Sequence, residues 1–322
     1  MGSASNSAGH VTRTHTTVGV YRRRVDGIIR KACSEGYVID PGNVDPIELS
    51  RWLIEHKGSY CAATYRQYRA ALMLWIAEST HPNVADATAL LNTVDHVNNL
   101  KRGLSYRTSS TKDKKLSDTD RKAIIDWLSN HRSRYSVALS IFMQIGVSVG
   151  LRPSEWRTAR VIYHDGHPTL QVINAKNTNG RANGLVRTLI LDELPSELVD
   201  VIEKFCMIIR RLDKLGKWNN VYNGCRKTLY LACRTLWPNR KKFPTLYSLR
   251  HQFCADSKSA GMSRTEIAAL MGHASCDTAS THYGKRRVGR GKCAVKPSAV
   301  DVERLRSRSD APLVATFPGK QP

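Results

Sequence analysis

Acidic residues are scarce. Only 27 of the 322 residues are Asp or Glu, against 50 Lys and Arg, which leaves a formal charge of +23. Such an excess repels itself in a compact fold unless a polyanion shares the surface, so nucleic acid is the expected partner. A merely basic surface is the plainer alternative. An anionic membrane is a poorer one, because no basic amphipathic helix with an exposed apolar face stands out. Long apolar runs are lacking too: no stretch approaches the roughly 18 residues of a membrane span, and the polar start has no apolar signal core. The expectation is a soluble, cytoplasmic protein with no membrane partner. Met1-Gly2 is not a myristoylation signal, since Asn6 stands where Ser or Thr is wanted.

The eight cysteines, at 33, 61, 206, 225, 233, 254, 276 and 293, include no C-x-x-C pair. That spacing argues against a zinc site and against a disulfide framework, and in favour of free thiols in a reducing compartment. A Walker-type phosphate loop is also missing, so no nucleotide cofactor is expected.

What remains is enough chain for two domains at about 150 residues each. Residues 1–17 are small, polar and aperiodic, and read as a flexible tail. From Val18 to about Leu100 apolar residues recur at helical spacing. Tyr65, Tyr68, Leu72, Trp75 and Ile76 share one face of a helix ending before Pro82, Asp45-Pro46 opens the helix before it, and Ala87, Leu90, Leu91 and Val94 mark the next. Residues 101–116 hold six basic residues and one acid without periodicity, and read as an exposed linker suited to a phosphate backbone. Ser117-x-x-Asp120 resembles a capping box, and an apolar helix runs from about Tyr135 to Val149, stopped by Gly150. Three short β-rich runs follow, Ala159 to Tyr163, Thr169 to Asn174 and Leu185 to Leu191, before helical pattern returns at Ser196. The fold class is therefore mainly α, with a small three-stranded antiparallel sheet in the C-terminal domain.

Five segments of that domain place a polar residue where packing does not demand one. Arg152, in Gly150-Leu151-Arg152-Pro153-Ser154-Glu155, sits on a rigid corner between two helices with Glu155 in reach to orient it. Lys176 lies in a basic hairpin whose Asn179-Gly180 step favours a turn. Tyr247 and Arg250 fall three apart on one helical face. Ser263 and Glu266 form a capping box on a short helix ended by Gly272, beyond which His273 projects. Tyr283 ends a short segment opened by Asp277. Taken singly, each reads equally well as a solvated charge, a dipole partner or a packed ring.

Together they resemble a known family. The strings LRPSE, a Lys in a β-hairpin, LRHQF and LMGHAS with a Tyr after it occur in this order in the catalytic domain of tyrosine recombinases, the phage integrase family. Residues 18–100, with YCAATYRQYRAALMLW, are similar in composition to that family's helical core-binding domain. The resemblance spans about residues 18–285 and implies a two-domain clamp around duplex DNA, working as a homo-oligomer, a tetramer on paired sites, in recombination or integration of mobile DNA. It implies that Arg152 and Arg250 grip the scissile phosphate, Lys176 protonates the leaving 5′-oxygen, His273 hydrogen-bonds or transfers a proton, and Tyr283 is the nucleophile, with no metal or ATP. Two guanidiniums suit this chemistry, because a phenol with pKa near 10 attacks only if positive donors offset charge gathering on phosphorus.

Two departures mark this chain. Tyr247 stands where the family usually has His, and Tyr283 follows His273 by ten residues rather than nine, which puts His282 at the usual place. Tyr222, Tyr230 and Tyr247 are the other candidate nucleophiles. The basic segment 286–322, with VDVERLRS, reads as a tail that docks on a neighbouring subunit or stays disordered. A type IB topoisomerase and a catalytically inactive DNA-binding regulator of the same fold are the alternative readings.

Overall fold

The computed structural model describes residues 14–38, 40–93, 112–175, 177, 182–276 and 283–310, the side chains of 308–310 excepted. The chain divides into two compact units, Met1–Thr111 and Lys112–Pro322.

The first unit is helical. Helix α1 (His15–Ser34) is capped by Thr14, whose hydroxyl accepts from the Thr17 amide. Helix α2 (Pro46–Glu55) starts where Asp45 accepts from the Ile47 amide at 2.8 Å, with Pro46 in the first turn. Its proline has no amide to leave unsatisfied, which is why the pair works as a start signal. A 3-10 turn (His56–Ser59), α3 (Ala62–Glu78) and α4 (Val84–Thr93) complete it. Val25, Ile28, Leu49, Trp52, Leu53, Tyr65, Leu72, Ile76 and Leu91 form its core. The position of Val94 lies outside the described residues.

The second unit is built around one apolar helix. It begins with strand β1 (Lys112–Asp113) and helix α5 (Asp118–Asn130), capped by Ser117. Residues 112–116, grouped by their sequence with the basic linker, are anchored here: the buried Leu116 donates its amide to Gln252 Oε1 at 3.1 Å. Helix α6 (Ser136–Val149) buries Leu139, Phe142, Met143, Ile145 and Val149. A helix apolar on most sides has to be surrounded, and α6 packs against α5, α7 (Ser196–Lys214), α8 (Trp218–Leu236) and α9 (Leu246–Ser259). Strand β5 (Phe243–Pro244) pairs in parallel with β1.

The main sheet corrects the expected three strands to four. Strands β2 (Arg160–His164), β3 (His167–Ile173) and β4 (Val186–Ile190) form an antiparallel meander, and β6 (Lys296–Pro297) adds to the edge of β4 through Leu189↔Pro297 and Ile190↔Lys296. Two residues containing a proline show no alternation to read, and only the return of the chain brings them to the sheet. Leu170, Val172, Arg187 and Leu189 are buried.

Residues 284–310 fold on their own unit. A 3-10 turn (Arg286–Val288) lies on α9, and α11 (Ala299–Asp310) packs on α10 (Arg264–Met271) through Val302, Leu305, Ala268 and Ala269. The buried Asp301 accepts from the Thr188 amide at 2.8 Å, so the last helix is tied to β4. All eight cysteines are unpaired, and no described helix is long and apolar enough to cross a membrane.

Candidate active site

Two helix ends aim the first site residues. Helix α6 stops at Gly150, in the left-handed region at φ 59°, where a Cβ would lie 2.2 Å from the Phe253 ring. Only glycine turns the chain there, and Arg152 follows on the corner. Helix α10 opens with the reciprocal Ser263–Glu266 capping box and stops at Gly272, φ 60°, which sets His273 just beyond it. There a Cβ would meet Asn174 Oδ1 at 2.2 Å.

Arg250 enters from α9 with no solvent exposure. It donates to Gly150 O at 2.6 Å and Met271 O at 2.5 Å, and thereby ties both helix ends together. Its Nη2 is 3.4 Å from His273 Nε2, and its Nε donates to the Tyr283 hydroxyl at 3.4 Å. The Tyr283 ring lies 5.0 Å from both His251 and His273, and its hydroxyl is 2.9 Å from that of Tyr247. The following backbone is pinned to α9: Lys258 donates to Gly284 O at 2.9 Å, Gln252 to Val288 O at 2.9 Å, and Arg290 pairs with Asp256. Tyr283 therefore reaches Arg250 of its own chain.

Glu155 is the counter-charge. Its carboxylate accepts from Arg152 Nη1 at 2.5 Å, from the Arg152 amide at 2.7 Å and from Arg187 Nη2 at 2.8 Å, and lies 3.5 Å from Arg250. Burial opposes its ionisation, but Arg187, Arg250 and Arg152 outweigh that and hold it far below the usual carboxylate range. Among the described residues, the ion pairs of these three guanidiniums all run to this one carboxylate. Three buried positive charges against one negative leave a site that an anion completes.

The same field shapes the other groups. Burial works to raise Tyr283, yet Arg250, the hydrogen bonds with Tyr247 and Arg250, and Arg152 bring it below the ordinary phenol value. Tyr247 goes the other way, pushed up to about 12 by burial and by Tyr283. His273 is pulled down to about 2 by burial and then by Arg250, Arg152 and Arg187, and His251 to about 4 by burial, Lys114, Arg250 and Lys258. Both imidazoles are thus neutral near pH 7, and the buried Nδ1 of each has no hydrogen-bond partner among the described residues. The arrangement offers a phenol of eased ionisation, two adjoining guanidiniums and a neutral imidazole, which is a set for attack at a phosphorus-centred anion.

No protein-family profile matches the sequence, and no curated protein does. Solved structures do match. A lambda integrase dimer bound to a COC′ core site superposes with a TM-score of 0.52 over 85% of this chain and 73% of that one, at 15% identity. Lambda integrase residues 75–356 bound to DNA gives 0.52 over 84% and 89%, at 14% identity. The fold is that of lambda integrase. A XerH site-specific recombinase bound to a palindromic difH substrate overlays at 0.47, with 16% identity over 85% of this chain and 77% of that one.

Within that integrase fold, Arg152, Arg250, His273, Tyr247 and Tyr283 are brought together. Lys176 lies outside the described residues, as do Asn179-Gly180 and 277–282 with Asp277 and His282. Tyr222 packs on Trp218 and Tyr230 on Phe243, away from this cluster. Arg187 and Asn174 were missed from the sequence. Their signal was there for one of them: Arg187 shares the inward face of β4 with Leu189, a place where alternation asks for an apolar residue.

Proposed function

We propose that this protein is a site-specific DNA recombinase that cleaves and rejoins strands through a 3′-phosphotyrosine. The observation that carries the reading is the Tyr283 hydroxyl, held between Tyr247 and Arg250 in a buried cluster short of negative charge. A scissile phosphodiester supplies that charge. Tyr283 Oη attacks phosphorus, the P–O5′ bond breaks, and Lys176 gives the departing 5′-oxygen its proton. Arg152 and Arg250 offset charge on the non-bridging oxygens, and neutral His273 hydrogen-bonds one of them. The phenolic proton passes to water, since an imidazole lowered as far as His273 is a weak base. A 5′-hydroxyl from another strand then reverses the step, so phosphodiester energy is conserved and neither metal nor ATP enters.

Charge favours duplex DNA as the partner of both units, in a clamp, and exchange between two duplexes calls for a homo-oligomer on paired sites. The test is a nicked duplex carrying repeats that flank the protein's own gene. A covalent protein–DNA adduct on a denaturing gel is expected, absent with Tyr283→Phe although that variant binds the duplex normally. No adduct from the wild-type protein means an inactive DNA-binding regulator. A protein that forms adducts and relaxes a separate supercoiled plasmid without joining two duplexes is a topoisomerase.

A further inference from the structure

Arg187 belongs to none of the steps above, yet it is one of the largest fully buried side chains in the protein. A buried guanidinium is costly to desolvate, and replacing such a group with a well-packed apolar one is often neutral or stabilising. Its neighbours along β4 and across the sheet, Leu189 and Val172, are apolar. Sheet packing alone thus does not account for an arginine here.

What the side chain touches is specific. Its three donor nitrogens each have a different acceptor: Nε donates to Leu270 O at 2.9 Å, Nη1 to Asn174 Oδ1 at 2.5 Å and Nη2 to Glu155 Oε2 at 2.8 Å. Leu270 lies in the last turn of α10, three residues before His273. Asn174 closes the base of the β3–β4 connection, donating to Asn183 O at 3.1 Å and Gly184 O at 3.0 Å. Glu155 holds Arg152 at both its amide and its guanidinium. One planar fork therefore joins the hairpin, the end of α10 and the carboxylate that orients a phosphate-gripping arginine.

We propose that Arg187 is a positioning residue of the cleavage reaction, acting through Glu155 to fix the Arg152 guanidinium. With Arg187 in place, Glu155 Oε2 is occupied from behind, and the carboxylate can neither rotate nor draw Arg152 inward. Lysine keeps the charge but has no planar fork and cannot serve three acceptors in these directions. This inference rests on the recombinase reading.

The test is a double-mutant cycle in the adduct assay, with saturating protein on the nicked duplex, using wild type, Arg187→Lys, Arg152→Ala and the double variant. Arg187→Lys is expected to slow single-turnover adduct formation by about tenfold or more while DNA affinity changes by less than about threefold. In the Arg152→Ala background the same change is expected to cost less than about twofold, because the residue it positions is gone. A purely structural brace would cost the same factor in both backgrounds, and that result overturns the proposal. So does an Arg187→Lys protein as fast as wild type. If Arg187→Lys melts far below wild type, Glu155→Gln takes its place in the cycle, with the same non-additivity expected and additivity again fatal. A wild-type protein that forms no adduct removes the recombinase reading itself, a failure distinct from either of these.

Discussion

The hydroxyls of Tyr247 and Tyr283 lie 2.9 Å apart. Burial and Tyr283 push Tyr247 up to about 12 while Arg250 and Tyr247 lower Tyr283, so Tyr247 is the expected hydrogen-bond donor when Tyr283 ionises. On the proposed mechanism the residue in the usual histidine place serves the nucleophile, a role different from phosphate binding.

Tyr247→Phe removes that donor, so the pKa of Tyr283 rises. The pH–rate curve for adduct formation, which climbs as the phenol ionises, is expected to move to higher pH. At neutral pH the rate should fall about tenfold, the scale of one hydrogen bond to a charged group. Single-turnover rates from pH 6 to 10 check this. An unmoved midpoint would mean that Tyr247 bonds to the phosphate instead.

Arg152→Ala and Arg250→Ala should each slow cleavage by roughly a hundredfold, with much smaller losses in DNA affinity. They should differ in stability. Arg250 ties Gly150 O to Met271 O and is wholly buried, so its loss is expected to cost about 3–5 kcal/mol, whereas Glu155 keeps Arg187 when Arg152 is removed. Thermal melts beside adduct assays separate the two effects; equal melting temperatures would count against the tying role of Arg250.

The leaving group tests Lys176. Lys176→Ala should be slow on ordinary DNA, because a 5′-alkoxide then leaves unprotonated, but near wild-type rate on a substrate with sulfur at the bridging position. Arg152→Ala should stay slow on both. A Lys176→Ala protein that sulfur does not rescue assigns the lysine to phosphate binding.

The buried His273 and the half-buried His251 give stability a pH dependence of known sign. In the unfolded chain both titrate near 6.5, while in the fold His251 is lowered to about 4 and His273 to about 2. Between pH 6.5 and 4 the unfolded chain therefore binds more protons, and stability falls as pH falls, by up to ~1.4 kcal/mol per pH unit for each histidine. Denaturant melts at pH 7, 6 and 5 should show this slope, and His251→Asn should flatten it; an unchanged slope would rule His251 out as its source.

Local chemistry sufficed where one short segment decides the outcome. Asp45-Pro46, Ser117, Ser263 with Glu266, Gly150 and Gly272 start or stop their helices as their side chains dictate, because a cap or a left-handed turn needs only the neighbouring backbone. The order of LRPSE, LRHQF, LMGHAS and Tyr283 pointed to one site through resemblance to a known family, not through local chemistry, since LRHQF lies inside α9 and carries no turn of its own. Tertiary structure decided the rest. It made the two-residue β6 a fourth strand, turned residues 299–307 back onto α10, and showed that Tyr247 faces Tyr283. It also set Arg187 behind Glu155, across 32 residues of chain. These are pairings between distant segments, and no periodicity within either partner encodes which surface the other will meet; a buried charge takes its meaning from the groups packed against it, and only the folded chain assembles them.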